Sequence, residues 1–141
     1  MHSITYLDTT KCPSELILFV SGPMQKYANT RYNYSSFEDA ATRLRNCGYN
    51  VLSPHEHYDG HEPGDKSEIY YTRDAFSKLL QCDGVALIDD YWNSDGVAQE
   101  ITLARWCSIA VAPIEYWFSY AAEHSIKEKY HCPQETSGPS T

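Results

Sequence analysis

The sequence predicts an α/β domain of three layers, in which helices cover both faces of a mainly parallel sheet. Short apolar runs of strand length alternate along the chain with longer segments of helical periodicity. The runs are continuously apolar, as is typical of strands buried on both faces of a sheet. Because 141 residues is the size of one ordinary domain, we expect a single fold to carry the function.

The first half of the chain predicts a strand, a helix and a second strand. The apolar run 16–20 ends at the turn sequence 21–23, which predicts a central strand with a loop at its carboxyl end. Ser36 is the expected N-cap of an amphipathic helix that ends at Gly48. The run 49–53 then predicts the second strand and completes a βαβ unit.

The second half continues the alternation. Its predicted elements are a helix over about 69–81, a strand over 84–88, a helix that starts at Ser94 or Asp95 with its apolar face from Val97 onward, a strand over 109–112 and a helix over about 115–129. Residues 132–141 are rich in Pro, Ser and Thr and have no hydrophobic pattern, so we expect a flexible tail after a domain at 1–131.

The segment 84–107 is where we expect the functional site. Its apolar strand gives way to a polar loop, and Ser94 or Asp95 predicts the N-cap of the following helix. Glu100 lies in the opening turns of this helix, about a quarter-turn from its apolar face, which predicts a position near the carboxyl edge of the sheet. The helix dipole favours ionised Glu100, so this residue is a candidate nucleophile. The alternative is an acid that only complements the dipole.

Two further positions point to the same edge. Asp74, expected near the start of its helix, is a second candidate acid, with dipole complementation again as the alternative. After the first strand, Ser21 and Gly22 allow close approach of the backbone to a ligand, while Lys26 and Arg31 could neutralise an anion. The alternative for this loop is an ordinary connection with two solvated cations.

A polar loop, 55–67, is too long for a plain connection and predicts a rim or lid over a ligand. Its residues His55, His57 and His61 raise the possibility of a metal site, because imidazole suits zinc and related ions. Structural zinc sites normally have four ligands, and no thiolate lies nearby in sequence. We therefore expect solvated histidines and no metal.

Composition limits the class of partner. The net charge of −8 and the pI near 5.1 argue against a nucleic-acid polymer or an anionic membrane, although a small anionic ligand remains open. No run approaches the roughly 18 apolar residues of a membrane span, and the first residues lack the pattern of a secretory signal, so a soluble protein is expected. The five cysteines are scattered and odd in number, which predicts a reduced, cytoplasmic chain.

Four short motifs occur in order between residues 16 and 112. They are Phe19-Val20-Ser21-Gly22-Pro23-Met24, Arg73-Asp74, Cys82-Asp83-Gly84-Val85-Ala86 and Ser94-Asp95-Gly96-Val97-Ala98-Gln99-Glu100. Their order and spacing resemble the nucleoside 2-deoxyribosyltransferase-like superfamily, which includes the 2'-deoxynucleoside 5'-phosphate N-hydrolases. The Ser-Gly-Pro-Met sequence also resembles an uncharacterised bacterial and phage branch of that superfamily.

The resemblance implies a flavodoxin-like or Rossmann-like fold, a homo-oligomer and a retaining mechanism at an N-glycosidic bond, with no cofactor. Glu100 matches the nucleophile, which would hold the sugar as a covalent glycosyl-enzyme. Asp74 matches the second acid, which either protonates the leaving base or binds a sugar hydroxyl.

The resemblance also assigns substrate-binding positions. Ser21, Gly22 and Ser94 match residues that contact a 5'-phosphate, and Met24 and Gly96 lie within the same two motifs. Phe19 stands where many members have a tyrosine, so a hydroxyl that orients the nucleophile is missing at this position. The leading hypothesis is a hydrolase of (deoxy)nucleoside 5'-monophosphates. The alternatives are a nucleoside 2-deoxyribosyltransferase and a nucleotide-binding module without turnover.

Overall fold

A four-stranded parallel sheet with helices on both faces forms the core of the computed structural model. The structure describes residues 4–24, 27, 31–57 and 65–130, and it describes side chains only as far as His124. The strands are β1 (Ile17–Ser21), β2 (Asn50–Leu52), β3 (Gly84–Leu87) and β4 (Ala110–Pro113), in the order β2-β1-β3-β4. The helices are α1 (Tyr34–Asn46), α2 (Glu68–Leu79), α3 (Asp95–Trp106) and α4 (Ile114–Tyr130). The predicted α/β class and flavodoxin-like, Rossmann-like three-layer arrangement are therefore confirmed.

The register of the sheet brings the ends of three strands together. Phe19 of β1 lies opposite Leu52 of β2 and Val85 of β3, and Ser21 lies opposite Leu87. All pairings are parallel, so the carboxyl ends of β1, β2 and β3 lie at one edge of the sheet. The loops that follow these strands are therefore neighbours.

Two hydrophobic cores lie on opposite faces of the sheet, because side chains alternate along each strand. Leu18 and Val20 pack with α1 and α4, whereas Phe19 between them packs with α2 and α3. The helices contribute Phe37, Ala40, Ala41, Leu44, Ile114, Trp117, Tyr120 and Ala121 to the first core, and Ala75, Leu79, Val97 and Ala104 to the second. The apolar helical faces predicted from periodicity supply these residues, whereas Leu80, the C-cap of α2, is 53% exposed.

The start of α1 differs from the prediction. The helix begins at Tyr34, and its N-cap is Asn33 rather than Ser36. Asn33, Tyr32 and Arg31 all have positive φ, at 64°, 55° and 54°, so the chain enters the helix through left-handed residues. Hydrophobic periodicity reports which face of a helix is buried and carries no signal for such an entry, which explains the error.

The state of the cysteines also differs from the prediction. Cys12 is disulfide-bonded, whereas Cys47, Cys82 and Cys107 are free. The expectation of a fully reduced chain is therefore wrong at Cys12, because an odd and scattered set of cysteines does not reveal pairing.

The described part of the chain contains no helix with the length and apolar character needed to cross a membrane. Lys26, His61 and the predicted tail at 132–141 lie outside the described residues, so the expectations for them stay predictions.

Candidate functional site

Glu100 and Ser21 meet at the carboxyl edge of the sheet. The Ser21 hydroxyl donates a 2.6 Å hydrogen bond to Glu100 Oε1. Ser21 is the last residue of β1 and is fully buried, so the strand fixes the direction of the hydroxyl. Glu100 is the sixth residue of α3 and is half-buried. The structure thus places Glu100 at the edge that helical spacing predicted.

The electrostatic environment of Glu100 differs from the expectation. Burial raises the pKa of the Glu100 carboxyl from its ordinary 4.5 to about 7, and the Ser21 hydrogen bond opposes this increase only in part. The Glu100 carboxyl is therefore harder to ionise than the helix-dipole argument predicted. The dipole acts mainly within the first turn, and Glu100 lies beyond it, so desolvation dominates. Near neutral pH both the protonated and the ionised carboxyl are populated.

Gly22 has a packing reason to be glycine. A Cβ atom at this position would lie 2.3 Å from Ile88 Cγ1, immediately beyond β3. The Ile88 amide donates to the Ser21 carbonyl at 3.0 Å, which holds the two strand ends together. Gly22 therefore permits close packing of the backbone against Ile88. This packing holds Ser21 in place.

The remaining predicted binding residues occupy different environments. Phe19 is fully buried in the core below α2 and α3, and Met24 packs partly buried against the core on the opposite face. Ser94 is the N-cap of α3, where its Oγ accepts from the Val97 amide at 3.2 Å. Gly96 is exposed, and a Cβ there would make only an ordinary contact with Ser94 Oγ at 3.7 Å. Contact of these four residues with a substrate stays a prediction.

Asp74 lies in a second polar cluster. It is the seventh residue of α2, whose N-cap is Ser67, so it lies within the first two turns of a helix that starts one residue before the predicted position. Lys78 Nζ lies 3.1 Å from Asp74 Oδ2. Lys78 also donates to the carbonyls of Ser53 and Glu56, both in the loop that follows β2. Asp74 is thereby held against that loop.

His57 belongs to the same cluster and is not solvated as expected. Its side chain is only 4% exposed, and its Nδ1 lies 3.7 Å from Asp74 Oδ2. Its Nε2 is hydrogen-bonded to the Tyr34 hydroxyl at 3.2 Å. Rings of Tyr70 and Tyr71 contact it from α2. Neighbouring elements bury this histidine although its local sequence is polar.

The sequence did not identify Tyr34 or Lys78 as site residues, and it did not predict the burial of His57. A signal existed for Lys78, because Asp74 and Lys78 have the i,i+4 spacing of a helical ion pair. None existed for Tyr34 and His57, which lie 23 residues apart and meet only in the fold.

The two described histidines of the loop after β2 have protein partners. His55 Nδ1 is hydrogen-bonded to Ser53 Oγ at 2.6 Å, and His57 has the partners given above. Among residues 4–24, 27, 31–57 and 65–130, no three His, Cys, Asp or Glu side chains group as metal ligands.

A large open cavity lies elsewhere, along β4. Its volume is about 1080 Å³, and its walls come from the segment after Ile4, from β4 and from α4. None of the predicted site residues lines it. We place the candidate site at Glu100 because open α/β sheets bind ligands beyond the carboxyl ends of their strands, and because a perturbed carboxyl lies there.

Removing the Ser21 hydroxyl should raise the pKa of Glu100 further. A hydrogen bond to a charged group contributes about 1.5–3 kcal/mol, so Ser21→Ala is expected to move the titration of Glu100 upward by about one pH unit or more. Carboxyl-carbon NMR of glutamate-labelled protein measures this directly. The matched control is Ser53→Ala, which removes another buried hydroxyl that bonds His55 instead. An unchanged Glu100 titration in Ser21→Ala would contradict the assignment.

A family model described as a domain of unknown function, DUF4406, matches residues 16–113. The matched segment runs from the start of β1 to the end of β4 and includes both Glu100 and Asp74. No curated protein and no solved structure matches the chain.

Proposed function

We propose that this protein, which belongs to the DUF4406 family, hydrolyses the N-glycosidic bond of (deoxy)nucleoside 5'-monophosphates. The description of the family names no function. The observation that carries the proposal is the Glu100 carboxyl, desolvated at the carboxyl edge of the sheet and held by the Ser21 hydroxyl. A carboxylate in such a position can attack a sugar carbon and stabilise a nearby positive charge.

The proposed reaction has two steps. The Glu100 carboxylate forms a bond to C1' while the bond from C1' to the base breaks. The electron pair of the broken bond leaves with the base. Water then attacks C1', the ester bond to Glu100 breaks, and the carboxylate is regenerated. Both transition states resemble an oxocarbenium ion, which a neighbouring carboxylate stabilises.

Ser21 has a defined part in this reaction. Its hydroxyl holds Glu100 Oε1, so Oε2 is the oxygen left to attack C1'. Many members of the superfamily that the sequence resembles have a tyrosine at the position of Phe19, and its hydroxyl orients the nucleophile. Here the Ser21 hydroxyl supplies an orienting hydrogen bond instead. A weakly solvated carboxylate is a stronger nucleophile than one that must first lose its water shell.

The phosphate preference depends on Ser94. Its Oγ accepts from the Val97 amide, so its own proton is available for a phosphate oxygen at the start of α3. Ser94→Ala is expected to weaken binding of a deoxynucleoside 5'-monophosphate roughly tenfold or more, the effect of losing about 1.5–3 kcal/mol, and to leave nucleoside binding nearly unchanged. Calorimetric titration of both ligands into parent and variant measures the difference.

Loss of the cap alone would act differently. It costs about 1 kcal/mol of stability and does not distinguish the two ligands. Equal weakening of both ligands in Ser94→Ala, or a parent protein without preference for the phosphate, would remove the nucleotide from the proposal.

The deciding experiment is a panel of nucleosides and 5'-monophosphates with chromatographic detection of the free base, run with and without a second free base. The proposal predicts base release that needs the 5'-phosphate and gives no crossed nucleoside. A crossed product would instead identify a deoxyribosyltransferase, and binding without release would identify a module that only senses nucleotides.

A further inference from the structure

We propose that Tyr34 is a second catalytic residue, which donates a proton to the leaving base, and that His57, held by Asp74, resupplies that proton. This inference rests on the proposed glycosidic cleavage and assigns the part of the site that protonates the base. Three observations carry it, namely the position of Tyr34, the hydrogen bond to His57 and the carboxylate behind His57.

Tyr34 follows a residue that contacts the loop after β1, and its own hydroxyl contacts His57. It is the first residue of α1, and the Asn33 side chain just before it donates to the Pro23 carbonyl at 3.0 Å, next to the Ser21-Gly22 loop. On its other side, its hydroxyl meets His57 Nε2 at 3.2 Å. Its side chain is half-buried, so the ring borders the solvent as well as the cluster.

The chemistry of His57 sets the direction of this hydrogen bond. Nδ1 lies 3.7 Å from Asp74 Oδ2, so the nearby carboxylate favours a proton on Nδ1 in either charge state. In neutral His57, Nε2 has a lone pair and accepts the Tyr34 proton. In the imidazolium form, Nε2 is itself a donor, so the Tyr34 oxygen accepts and its proton points elsewhere. The charge of His57 therefore decides whether Tyr34 can donate to a ligand.

Asp74 favours the form in which Tyr34 donates. Its Oδ2 is buried and lies 3.1 Å from Lys78 Nζ and 3.7 Å from His57 Nδ1. A carboxylate this close to an imidazole favours the charged form of the ring.

In the described part of the chain, two helices contribute side chains that face His57. Tyr34 approaches from α1, and Tyr70, Tyr71 and Asp74 approach from α2, where Lys78 pairs with Asp74. Lys78 opposes an imidazolium at His57, and Asp74, whose Oδ2 lies 3.7 Å from His57 Nδ1, supports it. Desolvation raises the pKa of Tyr34 to about 12, so its hydroxyl keeps its proton until the base takes it.

The proton balance of the first step is then complete. As the bond between C1' and the base breaks, the base nitrogen takes the Tyr34 proton, and the Tyr34 oxygen takes the Nε2 proton of imidazolium His57. His57 is left neutral with its proton on Nδ1. In the second step, the proton lost by the attacking water returns to His57 through Tyr34.

The test compares two leaving groups in parent protein, Tyr34→Phe and His57→Gln. One substrate is the deoxynucleoside 5'-monophosphate that the parent cleaves fastest, and the other is 4-nitrophenyl 2-deoxyriboside 5-phosphate, whose leaving group departs without a proton. Tyr34→Phe should slow nucleotide cleavage about 100-fold or more, the usual size of a general-acid contribution, and change nitrophenol release less than about threefold. His57→Gln should also slow cleavage of the nucleotide.

Controls separate the possible failures. Tyr6→Phe removes an exposed tyrosine hydroxyl beside the cavity along β4, away from the candidate site, and should leave both rates near those of the parent, while melting temperatures of all variants check folding. Equal slowing of both substrates in Tyr34→Phe, or no slowing of either, would overturn the inference and leave cleavage by Glu100 standing. If the parent cleaves neither substrate, the proposed function fails and this inference fails with it.

A measurement without substrate is independent of activity. Nitrogen NMR of the histidine rings should find the His57 Nδ1 protonated at high pH and the Nε2 accepting a hydrogen bond, and Tyr34→Phe should remove that hydrogen bond. A proton on Nε2 of neutral His57 would overturn the inference.

Discussion

Glu100→Gln is expected to lower the turnover of nucleotide cleavage by at least about 10³-fold, because an amide cannot form the bond to C1' or stabilise the positive charge on the sugar. The amide oxygen can still accept from the Ser21 hydroxyl, so the side chain should keep its place. Chromatographic assay of the free base under single-turnover conditions measures the loss.

The matched control for this variant is Asp95→Asn. Asp95 is an exposed acid in the first turn of the same helix, where it complements the dipole. Its replacement should leave turnover nearly unchanged. Cleavage that survives in Glu100→Gln would eliminate the glycosyl-enzyme mechanism, and a variant that does not fold would show that Glu100 is a structural residue.

Glu100 should also make the protein less stable as pH rises toward neutrality. The folded state raises the pKa of its carboxyl from 4.5 to about 7, so between these values the folded chain binds a proton that the unfolded chain has lost. The contribution is fully present below about pH 4.5, falls as pH rises and is lost above about pH 7. The total change is roughly 3 kcal/mol in the free energy of unfolding.

Glu100→Gln should remove this dependence. Chemical denaturation of parent and variant at a series of pH values gives the difference in their free energies of unfolding. The contributions of the other titrating groups cancel in this difference. The variant should gain stability relative to the parent as pH rises from 4.5 to 7. Glu123→Gln, which removes the same charge from an exposed position on α4, is the control and should give a nearly flat difference. A flat difference for Glu100→Gln would mean that its carboxyl is solvated.

These two predictions constrain each other. A Gln variant that is more stable than the parent at pH 7 and yet inactive has lost chemistry rather than fold. Such a result would also agree with the general pattern in which strained or desolvated groups at functional sites reduce stability.

Several features could be predicted from the sequence because they depend on neighbours along the chain. Apolar runs located all four strands to within about two residues, since only buried strands tolerate such runs in a polar chain. The local spacing of Ser94 and Val97 gave the N-cap of α3, and the periodicity of α3 placed Glu100 toward the carboxyl edge. The parallel α/β arrangement followed from the alternation of elements.

The tertiary structure alone decided the environment of each candidate residue. Ser21 and Glu100 lie 79 residues apart and meet because β1 is adjacent to β3, whose following helix carries Glu100. That contact and burial together set the pKa of the Glu100 carboxyl, which is raised. The helix-dipole argument made from sequence position predicted a lowered pKa. His57 has a polar local sequence that indicates solvent, but rings from α1 and α2 enclose it. Secondary structure follows from local pattern, whereas pKa and hydrogen-bond partners depend on desolvation by residues distant in the chain.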